Sequence, residues 1–516
     1  MKQPHLFLIW FVALLPILLL RDFTPSNELR YLNIVDEALQ NGNIFTFTNQ
    51  GEIYADKPPL HFWLMMAGKR ILGEHRMWYY ALLSFIPALI ILDTMRRWIG
   101  RQAGSDATTT SLMLMTAGLF IGVGIIVRMD MLMTMFIVLA LYTFYRMYQG
   151  EKLKRLSLLF PLYTFLALFS KGPLGILIPF VSTLSFLIYK KKLSHFSRYW
   201  GWKSLAILLT GCLIWFTGVY LEGGKEYIHN LLFRQTVGRG INSFHHKEPF
   251  YYYAITSWYA VAPWSLLSIG IVAASLVQRK IRSELEQFFA VIVLSSLVLL
   301  SFISAKLAIY SLPVIPFLIG LTLLLLPKFR SDNRWIELSL AIPAIILILS
   351  LPVLILLGRN EEMRFLATPL IFISAGLLSI TGMVTIYQLY KRARMVTAIR
   401  SMSLGILLSL FVAGWSMPRL NPYLGWGELC KTAKTLSDER RIDTYWVYRI
   451  SRAENMDVYL GKEIIKVEKE KILSSSAEKK LLLLRTKVIQ GDAEIRGAIR
   501  DREQQRVGSY TIVLFP

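Results

Sequence analysis

The stretch WIELSLAIPAIILILSLPVLILL, residues 335–357, carries a single charge, Glu337, near its start. It exceeds the roughly 20 apolar residues that a helix needs to cross a bilayer core. Lys328 and Arg330 stand before it and the polar segment 358–364 follows it. Read outward from there in windows of about 19 residues, the chain offers about 13 such spans. They start near residues 5, 77, 107, 129, 156, 172, 204, 258, 285, 306, 335, 364 and 398. With 516 residues, 54% hydrophobic, and a mean hydropathy of +0.47, the chain is predicted to be an α-helical polytopic membrane protein.

Charge then sets the topology. Arg96, Arg97 and Arg101; Lys152, Lys154 and Arg155; Lys190–Lys192; Arg279, Lys280 and Arg282; Lys328 and Arg330; and Lys391, Arg392 and Arg394 all fall on one side of the expected spans. The positive-inside bias makes that side cytoplasmic, so segments 21–76, 128–130, 170–173, 222–257, 304–306 and 358–364 face outward. The net charge of +23 serves topology, and nucleic acid is not an expected partner. The first span is read as retained, because no small-residue cleavage site follows Leu20. Cys212 lies in a span and Cys430 in the polar tail, so no disulfide framework is expected.

Composition changes near residue 417. A membrane domain, 1–416, gives way to a tail, 417–516, with a helix-like stretch Glu428–Leu436 and β-rich runs Thr444–Tyr448, Lys480–Leu484 and Ser509–Phe515. An odd span count puts this small α/β domain outside the cytoplasm.

The long first outward loop carries a dense set of ionisable groups. Apolar Leu32, Val35 and Leu39 recur at helical spacing, predicting a helix along the membrane interface that begins near Glu28. A carboxylate held there can take a proton from an attacking hydroxyl or phosphate. Further on, Pro58 and Pro59 fix the backbone ahead of another helix and hold Lys57 beside Asp56, where an ammonium can neutralise a lipid-linked phosphate. The spacing alone slightly favours the simpler reading, a solvated Asp56–Lys57 ion pair at a helix start.

Taken in order, these residues resemble the protein O-mannosyltransferase and aminoarabinose transferase superfamily of membrane glycosyltransferases, which have the GT-C fold. Asn27-Glu28-Leu29-Arg30-Tyr31 resembles the family's Asp-Glu-x-x-Tyr. Asp56-Lys57-Pro58-Pro59-Leu60-His61-Phe62-Trp63-Leu64 resembles its Glu-Lys-Pro-Pro-Leu-x-Tyr-Trp-Leu. Arg128-Met129-Asp130, Ser170-Lys171-Gly172-Pro173, and Ser304-Ala305-Lys306 with Tyr310, Leu312 and Pro313 are similar to its Arg-x-Asp, Thr-Lys-Gly-Pro, and Ser-x-Lys with Tyr-x-Leu-Pro segments.

The resemblance implies transfer of a sugar from a polyprenyl (undecaprenyl) phosphate to an extracytoplasmic lipid, protein or glycan acceptor at a bacterial inner membrane, with inversion. It implies a catalytic group of Glu28, Asn27, Asp56 and Asp130, and donor-phosphate contacts from Lys57, Arg128, Lys171, Lys306 and Tyr310. Arg30 and Tyr31 would bind substrate. A divalent cation (zinc, magnesium or manganese) shared by a loop carboxylate and His245 or His246 is also implied, although adjacent histidines do not share one helix face.

One departure stands out. Asn27 occupies the position of the family's aspartate base, and an amide takes no proton at ordinary pH. Glu28 serves as base in its place, or an acidic acceptor needs little assistance, or the chemistry has been lost. The bland readings are snorkelling for Lys171 and Lys306, a salt bridge for Arg128 and Asp130, and an interfacial belt for Phe250–Tyr253. His61 and His75 are expected to hydrogen-bond locally. The rival functions are a transporter or lipid flippase, which would place charges mid-span, and a non-catalytic binding protein descended from transferases.

Overall fold

The structure is a computed structural model; it describes the chain except residues 1–2, 103–105, 152–153, 238–246, 330–332, 392–394, 463, 475–478 and 516. Among the described residues, eight helices are long and apolar enough to cross a membrane, or up to nine if one bent pair counts as a single span. About 13 were expected. Four further apolar helices, His5–Leu20, Leu156–Lys171, Leu174–Tyr189 and Ser265–Val277, lie where spans were expected but are shorter than that criterion. Leu156–Lys171, Leu174–Tyr189 and Ser265–Val277 are 13–16 residues long.

Nine helices build the part of the molecule that carries the conspicuous loops. They are α1 (Gln3–Leu20), α2 (Glu28–Asn41), α3 (Leu60–Leu72), α4 (Met77–Ile99), α5 (Ala107–Met115), α6 (Gly118–Ile125), α7 (Met129–Tyr148), α8 (Leu156–Lys171) and α9 (Leu174–Tyr189). α7 is the axis: most of its side chains are buried, and α4, α8 and α9 pack around it. α2 is the amphipathic helix read from the sequence, burying Leu29, Leu32 and Val35.

α5 and α6 form the bent pair, turning by 65° at Thr116 and Ala117. A break inside a membrane protein is tolerated only where the freed backbone finds partners. Here the Gly118 amide donates to the Ala262 carbonyl at 2.8 Å, and Trp264 donates to the Thr116 hydroxyl at 3.0 Å. A Cβ on Gly118 would lie 2.9 Å from the Tyr259 carbonyl oxygen, so the approach needs glycine. The bend matters for the site because α6 then releases an extended segment, Ile126–Arg128, at the end of α7. On the neighbouring helix, Gly172 at φ +111° ends α8 and leaves Lys171 as its last residue.

The first loop holds a hairpin, β1 (Thr48–Asn49) with β2 (Glu52–Ile53), whose two-residue turn places Gln50 and Gly51 at positive φ. After the helix Met395–Gly414, the tail begins with the helices Met417–Leu424 and Gly427–Arg440. Strands β3 (Tyr445–Tyr448), β4 (Ile464–Lys466), β5 (Lys480–Arg485), β6 (Gln504–Val507) and β7 (Tyr510–Phe515) then form one sheet of order β4-β3-β5-β7-β6. β3 runs parallel to both neighbours, while β5–β7 and β7–β6 are antiparallel. β5 is apolar along most of its length because both sheet faces are covered: Leu482 and Leu484 pack with Ile495 and Ile499, and Leu481 and Leu483 join the main core with Cys430 and Met456.

The tail is docked on the first loop through Asp22. Its carboxylate accepts from the Gly427 amide and from the Tyr459 hydroxyl, each at 2.7 Å. Arg452 donates to the Ser26 carbonyl at 3.0 Å, and Gln50 donates to the Asp457 carboxylate at 2.7 Å.

Candidate active site

The site is assembled where the start of α2, the turn before α3, the segment released by α6 and the end of α8 meet. Glu28 is the innermost piece. Its side chain is 1% exposed and forms a bidentate pair with Arg21 at 2.7 and 2.8 Å. The same two oxygens also accept from the Thr24 and Val127 amides, each at 2.6 Å. Arg21 in turn donates to the Ile125 carbonyl at 3.0 Å. Four donors thus converge on one carboxylate, which ties the first loop to the segment between α6 and α7. Glu28 was expected to act as the base; in the structure its acceptor positions are occupied by these four donors. Arg21 was missed as a partner; a lone arginine at the outward end of a span, against the charge bias, was the signal. Asn27 does not cap α2 and instead accepts from Arg30 at 3.0 Å.

Behind Glu28 lies a buried ion cluster. Asp130, fully buried in the first turn of α7, accepts from Arg128 Nε at 3.0 Å and pairs directly with the Lys171 ammonium. Lys171 also sits 4.3 Å from the centre of the Tyr310 ring. The salt-bridge reading of Arg128 and Asp130 is therefore correct in geometry, and Lys171 does not snorkel. Burial opposes the charge on Arg128, but Asp130 overcomes this and raises its affinity for the proton above the usual value. The Arg128 side chain retains 18% exposure, so its free guanidinium edge can be reached.

The turn before α3 completes the arrangement. Asp56 pairs with Lys57 at 3.2 Å and accepts from the Tyr54 hydroxyl at 3.3 Å; both charged side chains keep 14–16% exposure. Lys57 is close enough to Lys171 to repel it, and Tyr31 feels Arg128, Arg30, Asp130 and Asp56. Arg30 spans the rings of Tyr31 and Tyr54 at 5.7 and 5.6 Å. Burial raises both phenols, and Asp56 raises Tyr54 further. Arg30, Lys57, Arg128 and Lys171 face Asp56 and Asp130, leaving two positive charges that are not matched within the group. Such an excess at a low-dielectric boundary suits an anion.

Two residues lie differently from expectation. Lys306 is buried and its described hydrogen bond goes to the Glu248 carbonyl at 2.9 Å, so it braces the segment near Lys247. His61 is fully buried beside Tyr31, and neither ring nitrogen has a partner among the described residues, whereas local hydrogen bonding was expected. Burial holds its pKa down to about 4, with Asp130 opposing and Arg128 assisting, so it is neutral at ordinary pH. His75 does bond as expected, to Tyr80 at 2.7 Å and Asp36 at 2.8 Å.

His245 and His246 lie outside the described residues. Among the described residues no group of three His, Cys, Asp or Glu could hold a metal ion, and the Glu28 carboxylate is already saturated.

A family profile described as dolichyl-phosphate-mannose-protein mannosyltransferase matches residues 56–216, which include the Asp56–Lys57 turn and the cluster of Arg128, Asp130 and Lys171. The crystal structure of ArnT from Cupriavidus metallidurans bound to undecaprenyl phosphate superposes with a TM-score of 0.75, at 16% identity, over 99% of this chain and 96% of that one. The chain has the fold of that structure, the GT-C fold. Two sequence relatives of the chain are a protein of Aquifex aeolicus, 26% identical over 59% of this chain and 61% of its own length, and the undecaprenyl phosphate-alpha-4-amino-4-deoxy-L-arabinose arabinosyl transferase of Aeromonas hydrophila. The second is 25% identical over 57% of this chain and 54% of its own length. The chain thus spans little more than half the length of these relatives. It is a multi-pass membrane protein with the GT-C fold and a small sheet domain at its C-terminal end.

Proposed function

We propose that this protein transfers a sugar from a polyprenyl-phosphate carrier to an acceptor outside the cytoplasm, at the outer face of a bacterial inner membrane. The observation that carries this is the convergence of Lys57, Arg128 and Lys171 beside Tyr310, a cluster of cations drawn from four separate parts of the chain. Relatives named for arabinosyl transfer from undecaprenyl phosphate-alpha-4-amino-4-deoxy-L-arabinose support the carrier.

In the proposed reaction the acceptor oxygen attacks the anomeric carbon. The bond from that carbon to the phosphate oxygen breaks, and its electron pair leaves with the lipid phosphate, inverting the centre. The phosphate gains negative charge as the bond breaks, so fixed cations stabilise the transition state more than the ground state. Lys57 and the exposed edge of Arg128 touch the phosphate, and Lys171 adds its field from behind. Asp130 is a positioning residue that holds Arg128 and Lys171 in register. With Glu28 saturated, Asp56 is the carboxylate able to receive the acceptor proton, and Asn27, Arg30 and Tyr31 line the approach. A phosphate acceptor, already ionised, would need no such base.

The test is to reconstitute the purified full chain with an undecaprenyl-phosphate-linked sugar and envelope lipids and to follow release of undecaprenyl phosphate. Release that depends on the acceptor supports the reading. The absence of release, with unchanged envelope lipids and glycans in a deletion strain, favours a non-catalytic binding protein.

A further inference from the structure

The tail sheet carries an arrangement that sugar transfer does not use. Its three parallel strands lie in the order second, first, third: β4 and β5 flank β3. The chain leaves β3 toward one side, and β5 is entered on the other, so a crevice opens beyond the carboxyl ends of β3 and β5. In open α/β sheets such a switch point is where ligands bind.

The residues at those two ends are Arg449, directly after β3, and Arg485, the last residue of β5. They line one cavity of about 460 Å³ together with Lys487, Val488, Gly491 and Asp492. Arg449 also borders a second cavity of about 650 Å³ that includes Arg452, Lys466, Lys469, Glu468 and Glu470.

The ion pairs show which charges are free to act. Lys487 pairs with Glu362 at 2.9 Å and Lys466 with Glu454 at 2.6 Å. Lys469 pairs with Asp492 and Glu494, and Asp492 also caps the helix Ala493–Ile499, so that carboxylate is already engaged. Among the described residues, Arg449 and Arg485 have no carboxylate partner; Arg449 only lies 5.2 Å from its neighbouring Tyr448 ring. Two exposed guanidiniums therefore face one cavity from adjacent parallel strands, where planar N–H forks match a phosphate or carboxylate bidentately. Glu468 and Glu470, on the rim of the second cavity, turn the preference toward the Arg485 side.

We propose that the crevice between Arg449 and Arg485 is an anion site that takes a phosphoryl group carried on a sugar or lipid headgroup. The site is separate from the Lys57–Arg128–Lys171 cluster. Arg452, which lines the second cavity, donates to the Ser26 carbonyl of the first loop. The proposal does not rest on the transfer reaction.

Its test is arginine protection in the full chain held in phosphatidylcholine nanodiscs. Phenylglyoxal labelling of Arg449 and Arg485 is read by peptide mass spectrometry, with and without millimolar glucose 1-phosphate, inorganic phosphate or glucose. Several-fold slower labelling of both arginines by either phosphate, and none by glucose, is expected. Protection seen only in nanodiscs containing phosphatidic acid would assign the phosphoryl group to a lipid and would still support the site. Equal labelling under all conditions overturns it. So does unchanged binding of glucose 1-phosphate, measured by calorimetry, to a folded R449Q/R485Q variant. Because every readout is binding, a failure here leaves the transferase reading untouched, and the reverse also holds.

Discussion

Glu28→Gln keeps the volume of the side chain and removes the charge on which four donors converge. Oε1 accepts from Arg21 and Val127, and Oε2 accepts from Arg21 and Thr24, all within 2.6–2.8 Å. A glutamine offers one oxygen. Whichever way its amide turns, the NH2 faces two donors, so two hydrogen bonds are lost and the Arg21 guanidinium loses its buried countercharge. Breaking one side of a buried ion pair costs about 3–5 kcal/mol. Glu28 is 1% exposed and the Arg21 side chain 10%, so solvent does little to soften that cost. A thiol-reactive fluorogenic dye on a Cys212→Ser background in detergent gives the readout, since Cys430 is fully buried and becomes reachable when the tail unfolds from the core, whereas Cys212 is only half-buried. The variant should melt several degrees below the parent. Removing both partners in Arg21→Met with Glu28→Met should cost less than removing Glu28 alone, because no unpaired charge is left behind. A Glu28→Gln variant that melts with the parent but has lost turnover would refute this reasoning and restore Glu28 as a base.

Lys57→Met should lower transfer by about 10²-fold, the scale of losing one donor to a developing oxyanion, with little change in melting because its side chain is partly exposed. Steady-state release of undecaprenyl phosphate checks it, and unimpaired release removes Lys57 from the site. Acid should destabilise the protein through His61: its folded pKa of about 4 lies below the unfolded 6.5, so the unfolded chain takes a proton that the folded one refuses. Stability from this group is complete above pH 6.5, and about 3 kcal/mol is lost as pH falls to 4. His61→Phe should flatten that part of the stability–pH curve, and parallel curves would contradict the assignment. Tyr459→Phe removes one hydrogen bond to a carboxylate, a contribution of roughly 1.5–3 kcal/mol. It should loosen the tail on Asp22 and speed proteolysis near residue 425, and unchanged cleavage would show that the docking rests elsewhere.

Much of this protein was decided by local sequence. Apolar runs of bilayer length place the helices, charge bias sorts the loops, and the spacing of Leu32, Val35 and Leu39 yields α2. The runs at 444–448, 480–484 and 509–515 become β3, β5 and β7. β4 and β6 escaped because each has only three or four residues and mostly faces solvent. Hydropathy and periodicity are properties of neighbours in the chain, so they are legible without a fold.

The partners of the charged groups were decided only in three dimensions. Glu28 accepts from an amide 99 residues away, Lys171 is paired by a carboxylate 41 residues away, and Asp22 is held by a glycine amide 405 residues away. A carboxylate's chemistry depends on which donors surround it, and that is set by how distant segments pack rather than by the residues beside it in sequence.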